Sequence, residues 1–124
     1  MCEGGRIDWA CHANNAYAML EDILDLDLAV RKAMEFASRH PDETLIVVTA
    51  DHETGGLAIT GGHPSGEGVT YGWATSGHTA SMVPIYAFGP GAERFSGTLQ
   101  ITDIPVHMAE LLGLSGFPAL KVEE

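Results

Sequence analysis

A short apolar run that ends in Asp51-His52-Glu53 and then two glycines constrains this chain more than any other stretch. Residues 45–48 are aliphatic without polar alternation, a pattern typical of a strand buried on both faces, as in a parallel sheet. Ligands bind beyond the carboxyl ends of such strands, which is where Asp51 and His52 lie. Zinc accepts a carboxylate oxygen and an imidazole nitrogen. A turn-capping Asp51 and a surface His52 would give the same local pattern.

The composition predicts a folded domain and excludes some classes of function. The chain has 124 residues, of which 45% are hydrophobic, enough for a core. No apolar run approaches the roughly 20 residues that a membrane span needs. The net charge of −11 argues against binding nucleic acid through a basic patch. A bound metal could still attract an anionic substrate. The two cysteines make no disulfide framework, and no signal-peptide pattern is visible.

Two helices are expected between the N-terminus and the apolar strand. Apolar residues recur at helical spacing in residues 16–24 and again in residues 28–39. Asn15 can cap the first helix, and Asp25 or Asp27 can cap the second. A helix followed by a strand is typical of an α/β domain.

The second half of the chain predicts short strands and one more helix. Glycines and a proline interrupt residues 57–75, which indicates a hairpin or an ordered loop. Residues 82–88 read as a strand in which Pro84 must lie at an edge, a strand start or a bulge. A capped helix is expected at residues 104–112, and the tail to residue 124 is expected to be weakly structured.

Six potential metal ligands lie beside predicted strand ends or turns. Asp8 and His12 are four residues apart, so one helical turn would place both on the same face. An N-cap aspartate and a surface histidine would have the same spacing. Mixed aspartate and histidine ligands suit catalytic zinc, and a glutamate oxygen suits magnesium. Two metal ions about 3.5–4 Å apart form a clamp used for phosphoryl transfer. The six residues are Glu3, Asp8, His12, Asp51, His52 and His78.

Three segments resemble motifs of the alkaline phosphatase family. Residues 3–12 resemble its E-G-x-x-I-D-x-x-x-H motif, and residues 48–52 resemble its V-T-A-D-H motif. Residues 77–79, followed by a strand that ends in Phe-Gly-Pro at 88–90, resemble its third ligand segment. The resemblance implies an α/β fold with a mostly parallel sheet flanked by helices. It also implies that residues 1–124 are the C-terminal portion of a single such domain.

The same resemblance implies a role for each candidate ligand, with two zinc ions and usually one magnesium ion. The implied ligands are Asp8, His12 and His78 for one zinc ion, Asp51 and His52 for the second, and Glu3 for magnesium. Trp9 and Thr54 occupy positions at which family members differ. The resemblance places these two side chains near the third metal and the phosphate.

The resemblance further implies hydrolysis of phosphomonoesters through a phosphoseryl intermediate, in the periplasm or outside the cell. In the family, the nucleophilic serine, a phosphate-binding arginine and further carboxylate ligands lie upstream of these motifs. No serine of this chain has the matching context. We therefore expect the chain to supply metal ligands, to be inactive alone and to require the missing N-terminal half. Strand edges and apolar surface left uncovered would favour self-association, including homo-oligomers.

Two alternative functions remain open at this level. Related metal-dependent enzymes, such as cofactor-independent phosphoglycerate mutase, phosphopentomutase and sulfatase-like enzymes, share the metal layout. The spacing from Glu3 to Asp8 and the run at residues 49–52 favour alkaline phosphatase over these related enzymes.

A non-catalytic metal-binding domain is the other alternative. The short segment at residues 57–75 predicts a compact family member without a large inserted interface domain.

Overall fold

The computed structural model describes residues 1–117, which divide into two compact units. The first unit consists of residues 1–32 and 52–83, and the second of residues 33–51 and 84 onward. Much of the tail expected to be weakly structured lies outside the described residues. In chain order the elements are α1 (Gly5–His12), α2 (Ala16–Ala37), β1 (Ile46–Thr49), β2 (Glu53–Thr54), β3 (Ala58–Gly61), β4 (Thr70–Gly72), β5 (His78–Thr79), β6 (Ile85–Phe88), a 3₁₀-helix (Ala92–Phe95) and α3 (Asp103–Leu111).

The helix α2 is continuous, so the prediction of two separate helices at residues 16–24 and 28–39 was wrong. Asn15 does cap the helix, because its side-chain oxygen accepts a hydrogen bond from the Ala18 amide at 3.1 Å. The Asp-Leu-Asp segment expected to interrupt the helix contains no glycine or proline, and aspartate inside a helix costs well under about 1 kcal/mol. Asp27 also lies 3.7 Å from Arg31, one turn further on.

Every strand pair within residues 1–117 is antiparallel, so the predicted mostly parallel sheet is not confirmed. β1 pairs with β6 in the second unit, with Ile46 opposite Phe88 and Thr49 opposite Ile85. β1 is half-buried rather than buried on both faces, and Thr49 is exposed. An unalternating apolar run does not distinguish these two environments, because it carries no information on which strand is its neighbour.

The first unit contains the other two strand pairs. β3 and β4 form a hairpin within residues 57–75, one of the two alternatives expected there, with Ile59 opposite Tyr71. β2 and β5 form a ladder of only two residue pairs, Glu53 with Thr79 and Thr54 with His78. This short ladder joins the segment after β1 to the segment that carries His78.

A small apolar core and a close backbone contact hold the second unit together. Phe95, Val106 and Ala109 are buried where the 3₁₀-helix meets α3. Arg94 donates a hydrogen bond to the Glu110 carboxylate at 2.5 Å beside this core. Gly89 ends β6 with a φ of 108°, and a Cβ there would lie 2.1 Å from the Thr44 carbonyl oxygen.

One face of α2 in the first unit is apolar and exposed. Tyr17, Leu20, Leu24 and Leu28 lie on this face at helical spacing, and each side chain is at least half exposed. Apolar stripes of this kind normally pack against another element. None of the helices within residues 1–117 is long and apolar enough to cross a membrane.

We predict that the exposed face of α2 causes the isolated chain to self-associate. Replacing Leu24 by Glu should shift the population toward monomer, because a charge in the middle of the stripe opposes burial of its neighbours. Sedimentation velocity at increasing protein concentration measures the shift. Ala33→Glu is the control, since it adds the same charge at an exposed position off the stripe. A strictly monomeric parent chain would contradict the prediction.

Candidate metal centre

The helix α1 presents two candidate ligands from one face. Asp8 and His12 are one turn apart, and the Asp8 Oδ1 atom lies 3.5 Å from the His12 Nε2 atom. The helix spans Gly5–His12, and Asn14, two residues later, has a positive φ of 51° that turns the chain away from it. The helical spacing inferred from the sequence is therefore confirmed, and the two side chains point toward a common space.

The ring of His12 is oriented by a backbone carbonyl. Its Nδ1 atom lies 2.6 Å from the carbonyl oxygen of Ser76. A carbonyl oxygen can only accept, so Nδ1 carries the proton and Nε2 carries the lone pair. Metal-binding histidines are commonly held in this way, by a partner on the nitrogen that does not bind the metal.

His78 completes a triangle of donor atoms with these two residues. Its Nε2 atom lies 3.2 Å from His12 Nε2 and 3.8 Å from Asp8 Oδ1. Ligands held about 2.0–2.1 Å from a tetrahedral zinc ion lie roughly 3.3 Å apart, close to the spacing of the two nitrogens. Because His12 Nε2 carries a lone pair, the 3.2 Å contact accommodates either a hydrogen bond donated by His78 Nε2 or a cation bound by both nitrogens. The triangle therefore has the donor atoms and the spacing of a zinc site.

His52 lies beside the triangle and is linked to it by Thr54. The His52 and His78 rings stack with centroids 3.6 Å apart. Asp8, His52 and His78 each offer a donor atom within 4.8 Å of the others. The Thr54 hydroxyl donates to Asp8 Oδ1 at 2.6 Å, and it lies 3.2 Å from His52 Nδ1. Because its one proton goes to Asp8, Thr54 accepts from His52 Nδ1, which makes His52 Nε2 the acceptor nitrogen.

Asp8, His12, His52 and His78 together are called the cluster from here on. Their contacts favour the ionised form of the Asp8 carboxylate. The hydrogen bond from Thr54, and then the nearby His12, His52 and His78, lower the pKa of Asp8, while partial burial opposes them. Burial raises the pKa of the Cys11 thiol, and the carboxylates of Asp8 and Glu53 add to the effect. These effects favour the protonated thiol over the thiolate.

A glycine turn fixes the loop that leads to His78. The Gly55 amide donates to the Gly77 carbonyl at 2.9 Å, and the Gly55 carbonyl accepts from the amides of Ala74 and Thr75. Gly55 has a φ of 91°, and a Cβ on it would lie 2.5 Å from the Trp73 ring. Only glycine combines this backbone conformation with this close approach. The Gly-Gly pair noted in the sequence thus holds residues 73–77 against the end of β2.

The remaining predicted site residues lie in other settings. Glu3 is exposed just before α1 and lines a cleft of about 220 Å³ with Arg6 and Asp22. Trp9 is 72% exposed on α1. Asp51 is exposed at the end of a segment of the second unit, one residue before His52. The metal roles of Glu3 and Asp51, and the role of Trp9 near a third metal, stay predictions.

Sequence reasoning missed two contacts close to the candidate ligands. The carbonyl of Ser76 holds His12, and no side-chain pattern reveals a backbone acceptor 64 residues away in the chain. Glu53 and Thr79 hydrogen-bond across the β2–β5 ladder. Each of them is adjacent in sequence to a predicted ligand, which is the one signal that could have drawn attention to them.

Comparisons with known proteins agree with the motifs. The sequence model of alkaline phosphatase matches residues 1–71. The chain is 34% identical to the alkaline phosphatase of Escherichia coli (strain K12), over 90% of this chain and 27% of that protein. It superposes on the alkaline phosphatase from the Antarctic bacterium TAB5 with a TM-score of 0.82 at 35% identity, covering 91% of this chain and 34% of that one. A variant of that enzyme with Mg bound in the M3 site gives a TM-score of 0.83 at 34% identity, covering 91% and 35%.

The chain is much shorter than these relatives. It spans 37% and 39% of the length of two alkaline phosphatases of Bacillus subtilis (strain 168). The similarity therefore concerns one portion of a longer fold, and the residues matched by the family model include Asp8, His12 and His52.

We predict that Gly55→Ala destabilises the chain more than Gly66→Ala does. The two glycines have nearly equal φ values of 91° and 87°, but nothing lies within 4 Å of a Cβ on Gly66. Both variants carry backbone strain of about 1–3 kcal/mol, and only Gly55→Ala also clashes with Trp73. Thermal unfolding followed by circular dichroism compares the two. Equal losses would show that the packing of Trp73 on Gly55 is unimportant.

We predict that the chain binds Zn²⁺ through the cluster. His78→Ala should weaken the affinity by more than the roughly 10–100-fold caused by loss of an outer partner, because it removes a donor atom. Competition with a chromophoric chelator measures the affinity. His63→Ala serves as the control, since His63 lies in the exposed β3–β4 connection and contacts Ser65. Equal affinities in both variants would contradict the site.

Proposed function

The chain belongs to the alkaline phosphatase family, and on that premise we propose that it forms the metal-binding part of a phosphomonoester hydrolase. The observation that carries the proposal is the triangle of Asp8, His12 and His78, whose donor atoms lie 3.2–3.8 Å apart. Family membership supplies the reaction class, and the triangle supplies a place for the cation that this reaction uses.

The proposed ligands follow the motifs of the family. The first zinc ion would be held by Asp8, His12 and His78, which is the number of protein ligands typical of a catalytic site with an open position. His52 and Asp51 would hold the second zinc ion. Glu3 would hold magnesium, which prefers oxygen ligands. The histidine-rich composition of the triangle favours zinc over magnesium.

A bound zinc ion would act as a Lewis acid and would lower the pKa of a coordinated hydroxyl or water. Residues of this chain hold the candidate ligands in the protonation state and orientation that metal binding needs. Asp8 is held as a carboxylate by Thr54, and His12 is held by Ser76 with its Nε2 lone pair toward the cluster. The side chains of Asp8, His12 and His78 are between 36% and 48% exposed, so a phosphate ester can reach them. Trp9, exposed on the same helix, would line the approach to a third metal and the phosphate.

The whole reaction would need residues beyond those described. We propose that a serine outside this chain attacks the phosphorus and forms a phosphoseryl intermediate, as the family motifs imply. Residues 1–124 would then be the C-terminal portion of one alkaline phosphatase domain, with the rest of that domain as the partner. A periplasmic or secreted location remains a prediction from the family alone. The net charge of −11 speaks against a nucleic acid partner.

We predict that the isolated chain, loaded with Zn²⁺ and Mg²⁺, hydrolyses p-nitrophenyl phosphate at least about 1,000-fold more slowly than a bacterial alkaline phosphatase assayed beside it. The expected loss reflects a missing nucleophile, whose removal from a covalent mechanism costs several orders of magnitude. Metal content is measured on the same sample. Turnover close to that of the complete enzyme would refute the proposed inactivity, and absence of bound zinc would refute the metal centre.

A chimera tests the function itself. Residues 1–117 would replace the matching segment of the Escherichia coli enzyme, to which the chain is 34% identical. We expect phosphatase activity that disappears with Asp8→Ala and survives His63→Ala. Transfer of a phosphoryl group between two positions of a sugar phosphate, without hydrolysis, would favour the mutase alternative. A chimera that folds and binds zinc without either activity would favour a non-catalytic metal-binding domain.

A further inference from the structure

We infer that Glu53 and Thr79 form a clasp that positions the histidine ligands from behind, without touching the metal. This inference rests on the proposed metal-binding function. The clasp is defined here as the Glu53 carboxylate, the Thr79 hydroxyl and the Gly56 amide. It lies on the β2–β5 ladder, where each of its two side chains is a direct neighbour of a candidate ligand.

The register of the β2–β5 ladder places the clasp and His78 on opposite faces of the ladder. Glu53 lies opposite Thr79, and Thr54 lies opposite His78. Successive side chains of a strand point to opposite faces. Thr54 and His78 therefore share the face toward Asp8, which both of them contact. Glu53 and Thr79 share the other face.

The hydrogen bonds of the clasp use both carboxylate oxygens. The Thr79 hydroxyl donates a hydrogen bond to Glu53 Oε2, and the Gly56 amide donates to Glu53 Oε1 at 2.8 Å. The Thr79 oxygen lies 3.3 Å from the Ser81 amide, from which it accepts. Both Glu53 and Thr79 are half-buried. Hydrogen bonds to an ionised carboxylate in such a setting are stronger than neutral ones.

The ladder needs this support because it is short. It contains two residue pairs, whereas isolated two-stranded ribbons are marginally stable even when they are longer. A slip of one residue would turn His78 to the opposite face. The stacking of His78 on His52 at 3.6 Å and its 3.2 Å approach to His12 would then be lost. The clasp opposes this slip, because it pairs Glu53 with Thr79 and with no other residue of β5.

The clasp acts on the ligands and takes no part in the chemistry. Its effect is expected in the affinity for Zn²⁺ and in the geometry around the ion, while the donor atoms themselves stay unchanged. Removing an outer partner of a metal ligand typically weakens binding about 10–100-fold. The loss of Zn²⁺ affinity should be absent in Thr79→Ser, because serine keeps a hydroxyl at this position.

The test uses the complete chain and four variants of it. Three are the single variants Thr79→Val, Thr79→Ser and Glu53→Ala, and the fourth combines Thr79→Val with Glu53→Ala. Zn²⁺ affinity is measured by chelator competition, and the Co²⁺-loaded proteins are compared by their d–d absorption. We expect Thr79→Val and Glu53→Ala each to lower the affinity about 10-fold. Thr79→Ser should retain the affinity of the parent, and the double variant should lose no more than Glu53→Ala alone, because Glu53→Ala already removes the contact with Thr79.

Thr60→Val is the matched control. The Thr60 hydroxyl donates a hydrogen bond to Thr70 at 3.1 Å across the β3–β4 hairpin of the same unit. The substitution therefore removes an equivalent cross-strand contact away from the ligands. Its Zn²⁺ affinity and Co²⁺ spectrum should equal those of the parent. An equal loss in Thr60→Val, or unchanged affinity in Thr79→Val, would overturn the inference.

A measurement without metal separates this inference from the proposed function. Hydrogen exchange of the β2 and β5 amides in the metal-free chain should become faster in Thr79→Val and should recover in Thr79→Ser. If the parent chain binds no zinc, the proposed function fails, but this exchange pattern still supports the clasp. If zinc binds and exchange is the same in all variants, the clasp fails and the proposed function stands.

Discussion

The candidate site depends on a two-residue antiparallel pairing between β2 and β5. This pairing places Thr54 opposite His78, although the residues are far apart in the chain. The turn at Gly55 reinforces it, since both backbone groups of Gly55 hydrogen-bond to the loop at residues 73–77. That loop in turn presents the Ser76 carbonyl to His12. One short ladder therefore brings α1, β2 and β5 together: α1 carries Asp8 and His12, β5 carries His78, and His52 directly precedes β2.

Hydrogen bonds orient the donor atoms of three candidate ligands before any ion binds. Ser76 fixes the proton of His12 on Nδ1, and Thr54 bridges Asp8 and His52. The stacked rings of His52 and His78 limit their rotation. Orientation of this kind reduces the entropy that metal binding would otherwise lose. The low pKa of Asp8 has the same origin, because the contacts with Thr54 and the histidines favour a negative charge there.

The exposed apolar surface is consistent with a portion of a larger fold. Tyr17, Leu20, Leu24 and Leu28 form an uncovered stripe on α2, and β1 is only half-buried in its pair with β6. The chain covers 34% of the alkaline phosphatase from TAB5 while superposing on it with a TM-score of 0.82. We propose that the remaining part of such a domain covers these surfaces, which would explain why apolar residues lie there.

The sequence by itself determined the family and the helical pairing of Asp8 with His12, because motifs and periodicity are local properties. It left residues 57–75 open between a hairpin and an ordered loop, and the pairing of β3 with β4 decided for the hairpin. It misjudged the Asp-Leu-Asp segment, whose small helix cost is outweighed by the flanking residues. It also suggested parallel strands where the described pairs are antiparallel. Only the tertiary structure decided that Thr54 joins Asp8 to His52, that Ser76 orients His12 and that Glu53 meets Thr79. Each of these contacts joins separate elements, and their side chains meet only after the chain has folded.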